Sequence, residues 1–488
     1  MITTISTLLL LFVLGTTEGQ SYTCPYPEGQ FASEENCKVF YQCVGGNAYR
    51  RTCAEGSLYD GSKHMCVNSK DPSLKCGPQP EEEKTTKAPD PYEAGPCDPI
   101  ECLLPYCFCS YDGTEIPGGL KPAETPQMIM MTFDGAINDL NFETYNKIFL
   151  DNRTSPNGCP IRATFFVSHD YTNYQHVEKY YSRGHEIAVG SISRRRGLED
   201  EGEDVWIGEM VTMKEILQNF AGVRAVDIKG QRGPHLKPGR EAQYEVLSAY
   251  GFTWDSTVSN PPGSTAPVWP YSLDYKIPHE CRSGTCPTRS FPGVWELPMN
   301  SHYQDRNYNG GFCQYLDQCV LNYLEEADVV EWLIADFERH YNGNRAPYMM
   351  SLTTNWFQTP VLESALHTFI DYTMRFDDVY YTTVTEALQW VTTPQKLNVL
   401  NNFQPWDCRQ KYYPDPPCPK AKSCKLTLKP LFDNYTSSTA SSRYMVTCRN
   451  CPEVYPWVWD ASGQGRLRDN YQFFSTGREE GTPLEAAA

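Results

Sequence analysis

Six cysteines, Cys24, Cys37, Cys43, Cys53, Cys66 and Cys76, crowd into about fifty residues, and no other feature narrows the possible folds so far. A unit this small cannot bury enough apolar area to offset its chain entropy, so three bridges must supply much of its stability. Between the cysteines stand Phe31, Phe40, Tyr41, Tyr49 and Tyr59. Flat rings on a rigid scaffold suit stacking against the apolar faces of sugar rings, although Phe40 and Tyr59 read more simply as the small core of the knot. The whole chain of 488 residues carries 20 cysteines, an even number and too many for a reducing compartment.

The start of the chain agrees with an oxidising destination. Leu8 to Leu14 is an apolar run about half the length of a membrane span, followed by small and polar residues, so 1–19 reads as a cleaved secretory signal. No later stretch reaches about 18 uninterrupted apolar residues, so no membrane span is expected and the protein should be extracellular. The sequons Asn152-Arg153-Thr154 and Asn434-Tyr435-Thr436 fit that route and a glycoprotein. Lys+Arg 42 against Asp+Glu 60 gives a formal charge of −18, which argues against nucleic acid as a partner. The run Arg194-Arg195-Arg196 reads as a solvated loop.

Segment 20–77 is the cysteine module. Segment 78–95, with Pro78, Pro80, Pro89 and Pro91 among charged residues, is a linker. Segment 96–394 is a larger domain, and 395–488 is a cysteine-containing extension. Nine cysteines fall in the larger domain and five in the extension, so at least one bridge must cross between them. The pair Cys281–Cys286 reads as a local disulfide rather than a metal knuckle.

The spacing Cys-x12-Cys-x5-Cys-x9-Cys-x12-Cys-x9-Cys, with Phe40-Tyr41-Gln42-Cys43 and Gly56-Ser57-Leu58-Tyr59-Asp60, resembles the peritrophin-A (CBM14) chitin-binding module. The resemblance implies the pairs Cys24–Cys43, Cys37–Cys76 and Cys53–Cys66, and chitin as partner, with Tyr41 and Tyr49 as contacts.

In the larger domain, segments 127–134, 161–167, 185–190, 226–232, 252–256, 294–299, 348–354 and 379–383 read as short strands, with amphipathic helices between some of them, clearest in 205–220 and 329–341. That alternation predicts a parallel α/β unit, and the number of strands favours a distorted (β/α) barrel. Polar residues at the C-terminal ends of such strands are where chemistry sits. Thr132-Phe133-Asp134, Gly190-Ser191, Arg232-Gly233-Pro234 and Asp255-Ser256-Thr257 occupy four of those ends. With Trp269-Pro270-Tyr271 and Asn355-Trp356-Phe357, these pieces resemble the NodB-type polysaccharide deacetylases, and more closely the arthropod chitin deacetylases that join a peritrophin-A module to a deacetylase domain.

That resemblance implies metal-dependent hydrolysis of N-acetyl groups. The metal is held by one Asp and two His, a second Asp is the base, and a late-strand His protonates the amine. The family pattern Thr-Phe-Asp-Asp falls on Thr132-Phe133-Asp134-Gly135, which keeps the base position in Asp134 and loses the ligand at Gly135. The pattern His-Ser/Thr-x-x-His falls on Gly190 to Arg194, so both histidines are gone. At the second, Arg194 would repel a divalent cation and neutralise Asp134. The acid position is Thr353, while Arg232 retains the base-orienting role. No cofactor is therefore expected, zinc or another divalent ion entering only if a shifted site exists among Asp134, His169, His185 or His235. His185 and His169 read instead as structural. Trp269, placed in a loop, is the best further sugar contact, with Trp206, Trp254, Trp295 and Trp356 in the core.

Three functions follow. The first is a secreted chitin-binding matrix protein of the chitin deacetylase family, of cuticle or gut-lining type, with an impaired, pseudoenzyme barrel that binds glycan or organises matrix. The second is a chitin deacetylase of weak activity at an unorthodox site. The third is a structural matrix protein in which only the small module touches chitin.

Overall fold

The computed structural model describes residues 22–27, 29–33, 36–54, 56–61, 63, 65–70, 90–260, 266–303, 311–319, 325–410, 414–429 and 442–467. The signal segment, most of the linker, Cys76 and Asn434 lie outside them. Two compact units divide between Pro91 and Tyr92.

In the first unit, β1 (Gly29–Ala32), β2 (Val39–Val44) and β3 (Asn47–Thr52) form an antiparallel sheet, and β4 (Ser57–Asp60) pairs with β5 (Met65–Asn68). The two-residue turn between β2 and β3 is Gly45-Gly46 with φ of 57° and 80°, a conformation a side chain at both positions would resist. Disulfides Cys24–Cys43 and Cys53–Cys66 close the unit, and Cys37 is bridged as well. Tyr59 is buried, stacks on Phe40 at 4.6 Å and donates to the Gln30 carbonyl, so these two rings form the core.

The second unit is built on a nine-stranded sheet. In chain order its strands are β6 (Gln127–Gly135), β7 (Ala163–Val167), β8 (Glu186–Val189), β9 (Gly230–Gln231), β10 (Trp254–Asp255), β11 (Tyr271–Leu273), β12 (Phe291–Glu296), β15 (Tyr348–Leu352) and β16 (Val379–Tyr381). A two-strand ribbon of β13 (His302–Tyr303) and β14 (Phe312–Cys313) lies between β12 and β15 in sequence. The spatial order is β11-β12-β10-β9-β8-β7-β6-β15, parallel throughout except for β11. Ile129 pairs with both Tyr348 and Tyr381, and Met131 with both Met350 and Ala163, so β16 and β7 share one edge of β6 while β15 takes the other.

This path curls on itself. Six strand spacings separate β12 from β15, which would place them about 29 Å apart in a flat sheet. Yet Met299, just past β12, has its sulfur 3.5 Å from the Ser351 hydroxyl on β15. The result is a mostly parallel barrel whose interior is reached from β6, β9, β10, β12 and β15. Along β6 the alternation separates two layers. Met128 and Met130 pack inside with Phe166, Trp254 and Trp295, whereas Ile129, Met131 and Phe133 pack outward. Asp134 shares the parity of Met128 and Met130 and so faces the interior.

Around the barrel lie α1 (Phe142–Asn146), α2 (Tyr174–Ser182), α3 (Glu203–Trp206), α4 (Thr212–Ala221), α5 (Arg240–Ala249), α6 (Glu326–Tyr341), α7 (Pro360–Thr373) and α8 (Val384–Thr392). Their starts are written in the sequence. Asn173 caps α2, and Thr383 with Glu386 makes a reciprocal capping box on α8. In the extension, β17 (Lys422–Thr427) and β18 (Ser442–Thr447) form a hairpin fastened against α2 and α4. The Thr447 hydroxyl donates to the Phe220 carbonyl, and His169 Nε2 lies 2.7 Å from the Pro456 carbonyl. Cys159–Cys408 supplies the bridge that the odd cysteine counts demand. No helix among the described residues is long and apolar enough to cross a membrane.

Candidate functional site

The interior face of β6 ends on Asp134, each of whose carboxylate oxygens accepts a hydrogen bond. Its Oδ1 accepts from Arg232 Nη1 at 2.7 Å and its Oδ2 from the Tyr315 hydroxyl at 2.8 Å. Arg232, two residues after β8's neighbour β9 begins, is buried and fully used. It also donates to Thr132 Oγ1, to the Ser256 carbonyl and hydroxyl and to Met349 Sδ, and lies 3.9 Å from the Phe166 ring centroid. Burial and the Asp134 charge push the Tyr315 hydroxyl far up, so it stays a donor.

The next residue, Gly135, has φ of 121°, and a Cβ built there would stand 3.7 Å from Arg194 Nη1. Arg194 is half-buried at this spot rather than in a solvated loop. Its neighbour Arg195 is the member of the run that pairs outward, with Glu201 at 2.5 Å. No ion pair within 4.0 Å joins Arg194 and Asp134 among the described residues; the direct partners of the carboxylate are Arg232 and Tyr315.

Arg194 is held there by a strained loop. Ser191 and Arg194 have φ of 70° and 50°, unfavourable for residues with a Cβ. The buried Glu209 carboxylate compensates, accepting from Ile192 N at 3.0 Å, Ser193 N at 2.9 Å and Ser193 Oγ at 2.5 Å. Glu209 sits in a π-helical stretch, Ile207–Val211, between α3 and α4. Such wide turns often aim a side chain that a regular helix would misplace.

A divalent metal does not fit these residues. Gly135 offers no side-chain ligand, and Arg194 places a cation beside it. A Cβ on Gly190 would stand 2.7 Å from the Phe166 carbonyl oxygen, closer than side chains come. His185 is buried on the outward face against Phe149, and burial lowers its pKa to about 3. His169, likewise about 3, is bonded to Tyr174 and Pro456, while His235 is exposed and meets the Arg194 carbonyl. Elsewhere Cys159, Cys408 and Asp407 lie close together, but the two sulfurs are bonded to each other and offer no thiolate.

Thr353 starts the 3-10 turn Thr354–Gln358 and donates both its amide and its hydroxyl to Asp317, at 3.0 and 2.8 Å. Burial, then the charge of Asp134, raises the Asp317 pKa. Sequence reading missed Tyr315, Asp317 and Glu209. The available signal for the first two was Cys313-x5-Cys319, a short disulfide ring like Cys281–Cys286. Trp269 requires correction as a sugar contact. Its indole is buried, stacked at 5.7 Å on Trp390 and bonded to the Asn344 carbonyl, because Trp-Pro-Tyr leads into β11 instead of forming an open loop. In the first unit Tyr49 is 49% exposed, and half-buried Tyr41 stacks at 3.8 Å on Tyr22.

Behind the site lies a carboxyl pair, Asp255 and Glu296, which are register partners on β10 and β12 and both buried. Asp255 accepts from Thr257 N, Thr257 Oγ1, Gln243 Nε2 and Tyr244 OH, whereas Glu296 Oε1 accepts only from Val258 N. The charge therefore resides on Asp255 and the proton on Glu296, whose pKa burial and Asp255 raise well above the usual value. A raised carboxyl keeps its proton when folded, so its stability contribution is complete below 4.5, the unfolded value, and is lost as pH rises. Glu296→Gln should thus gain thermal stability over wild type progressively above that pH, by at most about 1.4 kcal/mol per unit. A difference in Tm that does not change with pH would refute the assignment.

The chain thus combines a disulfide-rich β module with a mostly parallel α/β barrel that carries a polar centre at its strand ends. Residues 24–76 match the chitin binding peritrophin-A domain. The chain is 37% identical over 447 residues to chitin deacetylase 1 of Bombyx mori, covering 89% of this chain and 78% of that one. It is 35% identical over 388 residues to chitin deacetylase 8 of the same organism, covering 76% and 94%. The chain belongs to the chitin deacetylase family. Among solved structures, a polysaccharide deacetylase from Mycobacterium smegmatis aligns at 19% identity and a TM-score of 0.38 over 57% of this chain and 96% of that one.

Proposed function

We propose that this is a secreted chitin-binding protein whose barrel no longer hydrolyses N-acetyl groups and serves as a glycan-binding or matrix-organising surface, with no metal bound. The observation that carries this reading is the Arg194 guanidinium beside the side-chain-free Gly135. A cation stands where the family places a ligand, and the base position, Asp134, is committed to Arg232 and Tyr315. The matched module supports chitin as the partner, through Tyr41 and the exposed Tyr49.

A second reading, residual deacetylation, is favoured by one observation: the Asp317 carboxyl, its pKa raised by burial, accepts a hydrogen bond from Thr353, which stands at the position of the acid histidine. Purified protein should contain no stoichiometric zinc and release no acetate from chitin oligomers with or without added metal. Acetate release abolished by Asp317→Asn would establish the second reading instead.

A further inference from the structure

At the start of the barrel unit, the segment Cys97–Cys109 and the residues just after it turn their large side chains to water. Ile100 is 81% exposed, Leu103 61%, Tyr106 82% and Tyr111 95%, and three of these are among the four most exposed large apolar side chains described. Large apolar side chains so exposed and so close together in sequence are what a contact surface offers. The backbone beneath is rigid. Cys102–Cys107 is nested within Cys97–Cys109, and the sulfurs with Tyr275 form their own small cluster. Phe108 and Ser272 exchange hydrogen bonds at 3.2 and 2.9 Å, and Trp269 N donates to the Gly113 carbonyl at 2.8 Å. A backbone fixed in this way loses little freedom on binding.

The rim is acidic. Asp98, Glu101, Asp112 and Glu115 are all exposed, and residues 97–120 contain no Lys, Arg or His. Asp98 and Glu101, with Asp274, converge on Tyr275, whose hydroxyl they push up after burial has done so. The nearest cations in sequence or by backbone contact are Lys121 and Lys276, the latter donating its amide to the Gly95 carbonyl. None of the four acids forms an ion pair among the described residues; Asp98 and Asp112 accept only local bonds, from Ile100 and Thr114.

We propose that this knob is a second glycan-contact surface whose ligand is a β-linked polysaccharide carrying free amino groups, with sugar faces against Tyr106 and Tyr111 and protonated amines against the four acids. The charge argument distinguishes it from the strands β2 and β3 of the first unit, which carry Arg50 and Arg51 and no Asp or Glu. A chain tethered to a polysaccharide through one unit also meets it again at high effective concentration. The inference does not depend on whether the barrel hydrolyses anything.

The test uses the full chain with a β-1,4-linked glucosamine hexamer and its N-acetylated counterpart, titrated by calorimetry at low and high salt. Tyr106→Ala with Tyr111→Ala should weaken the glucosamine hexamer by about tenfold, the loss of a contact centre, and leave the N-acetylated hexamer unchanged. Neutralising the rim with Asp98→Asn, Glu101→Gln, Asp112→Asn and Glu115→Gln should remove the salt dependence of the first titration. All six sites are exposed, so unchanged thermal unfolding verifies the fold of each variant. Unaltered glucosamine binding in the tyrosine variant overturns the proposal, as does an equal loss for both hexamers. Loss of binding to polylysine with the sugar unaffected overturns it in favour of a basic protein partner.

Discussion

Arg232→Met should destabilise the barrel unit by about 3–5 kcal/mol, the usual consequence of removing one partner from a buried ion pair. Arg232 satisfies acceptors from β6, from β15 and from Ser256 just beyond β10, and its loss leaves the Asp134 carboxylate with Tyr315 alone inside the barrel mouth. The same principle predicts how the loss is relieved. Asp134→Asn removes the orphaned charge while keeping an acceptor for Tyr315, so the double variant should recover a large part of the stability. Urea unfolding of the wild type, both single variants and the double variant gives the coupling energy directly. Additive losses would mean that the pair stands in water after all. If the barrel is catalytically silent, no activity is traded against these changes, and the retained Arg232–Asp134 pair then persists for architecture.

The relation between sequence and site can be traced residue by residue. β6, β7, β8, β15 and β16 were legible because apolar runs bounded by turn residues have few alternatives in a parallel barrel. Asp134, Gly135, Gly190 and Arg232 were legible as strand-end residues. The family pattern put Arg194 at a ligand position, but the loop that holds it was not legible, because a run of three arginines reads as solvated until a buried acceptor is known to bend it. That acceptor, Glu209, is about fifteen residues away, on a helix whose periodicity shows nothing unusual. Tyr315 and Asp317 were hidden differently. They lie about 180 residues from Asp134 at a single 3-10 turn, Leu316–Gln318, so only the closed barrel brings them together. The misplacement of Trp269 has a third cause: Trp-Pro-Tyr reads as a loop, but proline is tolerated at the entry to an edge strand, and β11 is such a strand.

The pair Cys159–Cys408 should contribute more stability than any other bridge of the second unit. The chain-entropy argument ranks disulfides by the length of chain they close, and this one spans 249 residues whereas Cys281–Cys286 spans 5. The same relation gives about 5 kcal/mol for the long loop and about 2 kcal/mol for the short one. Cys159→Ser with Cys408→Ser should therefore lower the unfolding free energy by more than twice the loss in Cys281→Ser with Cys286→Ser. The fold itself should survive, because the extension keeps other fastenings: Cys418–Cys448 and Cys424–Cys451 hold its hairpin, and Asn219, His169 and Phe220 bond to it from the barrel side. Chemical unfolding of the two double variants, each with a normal near-ultraviolet spectrum, makes the comparison. Equal losses would remove the entropic account and assign the stabilisation to packing around each bridge, such as the Asn157 and Trp406 contacts next to Cys159.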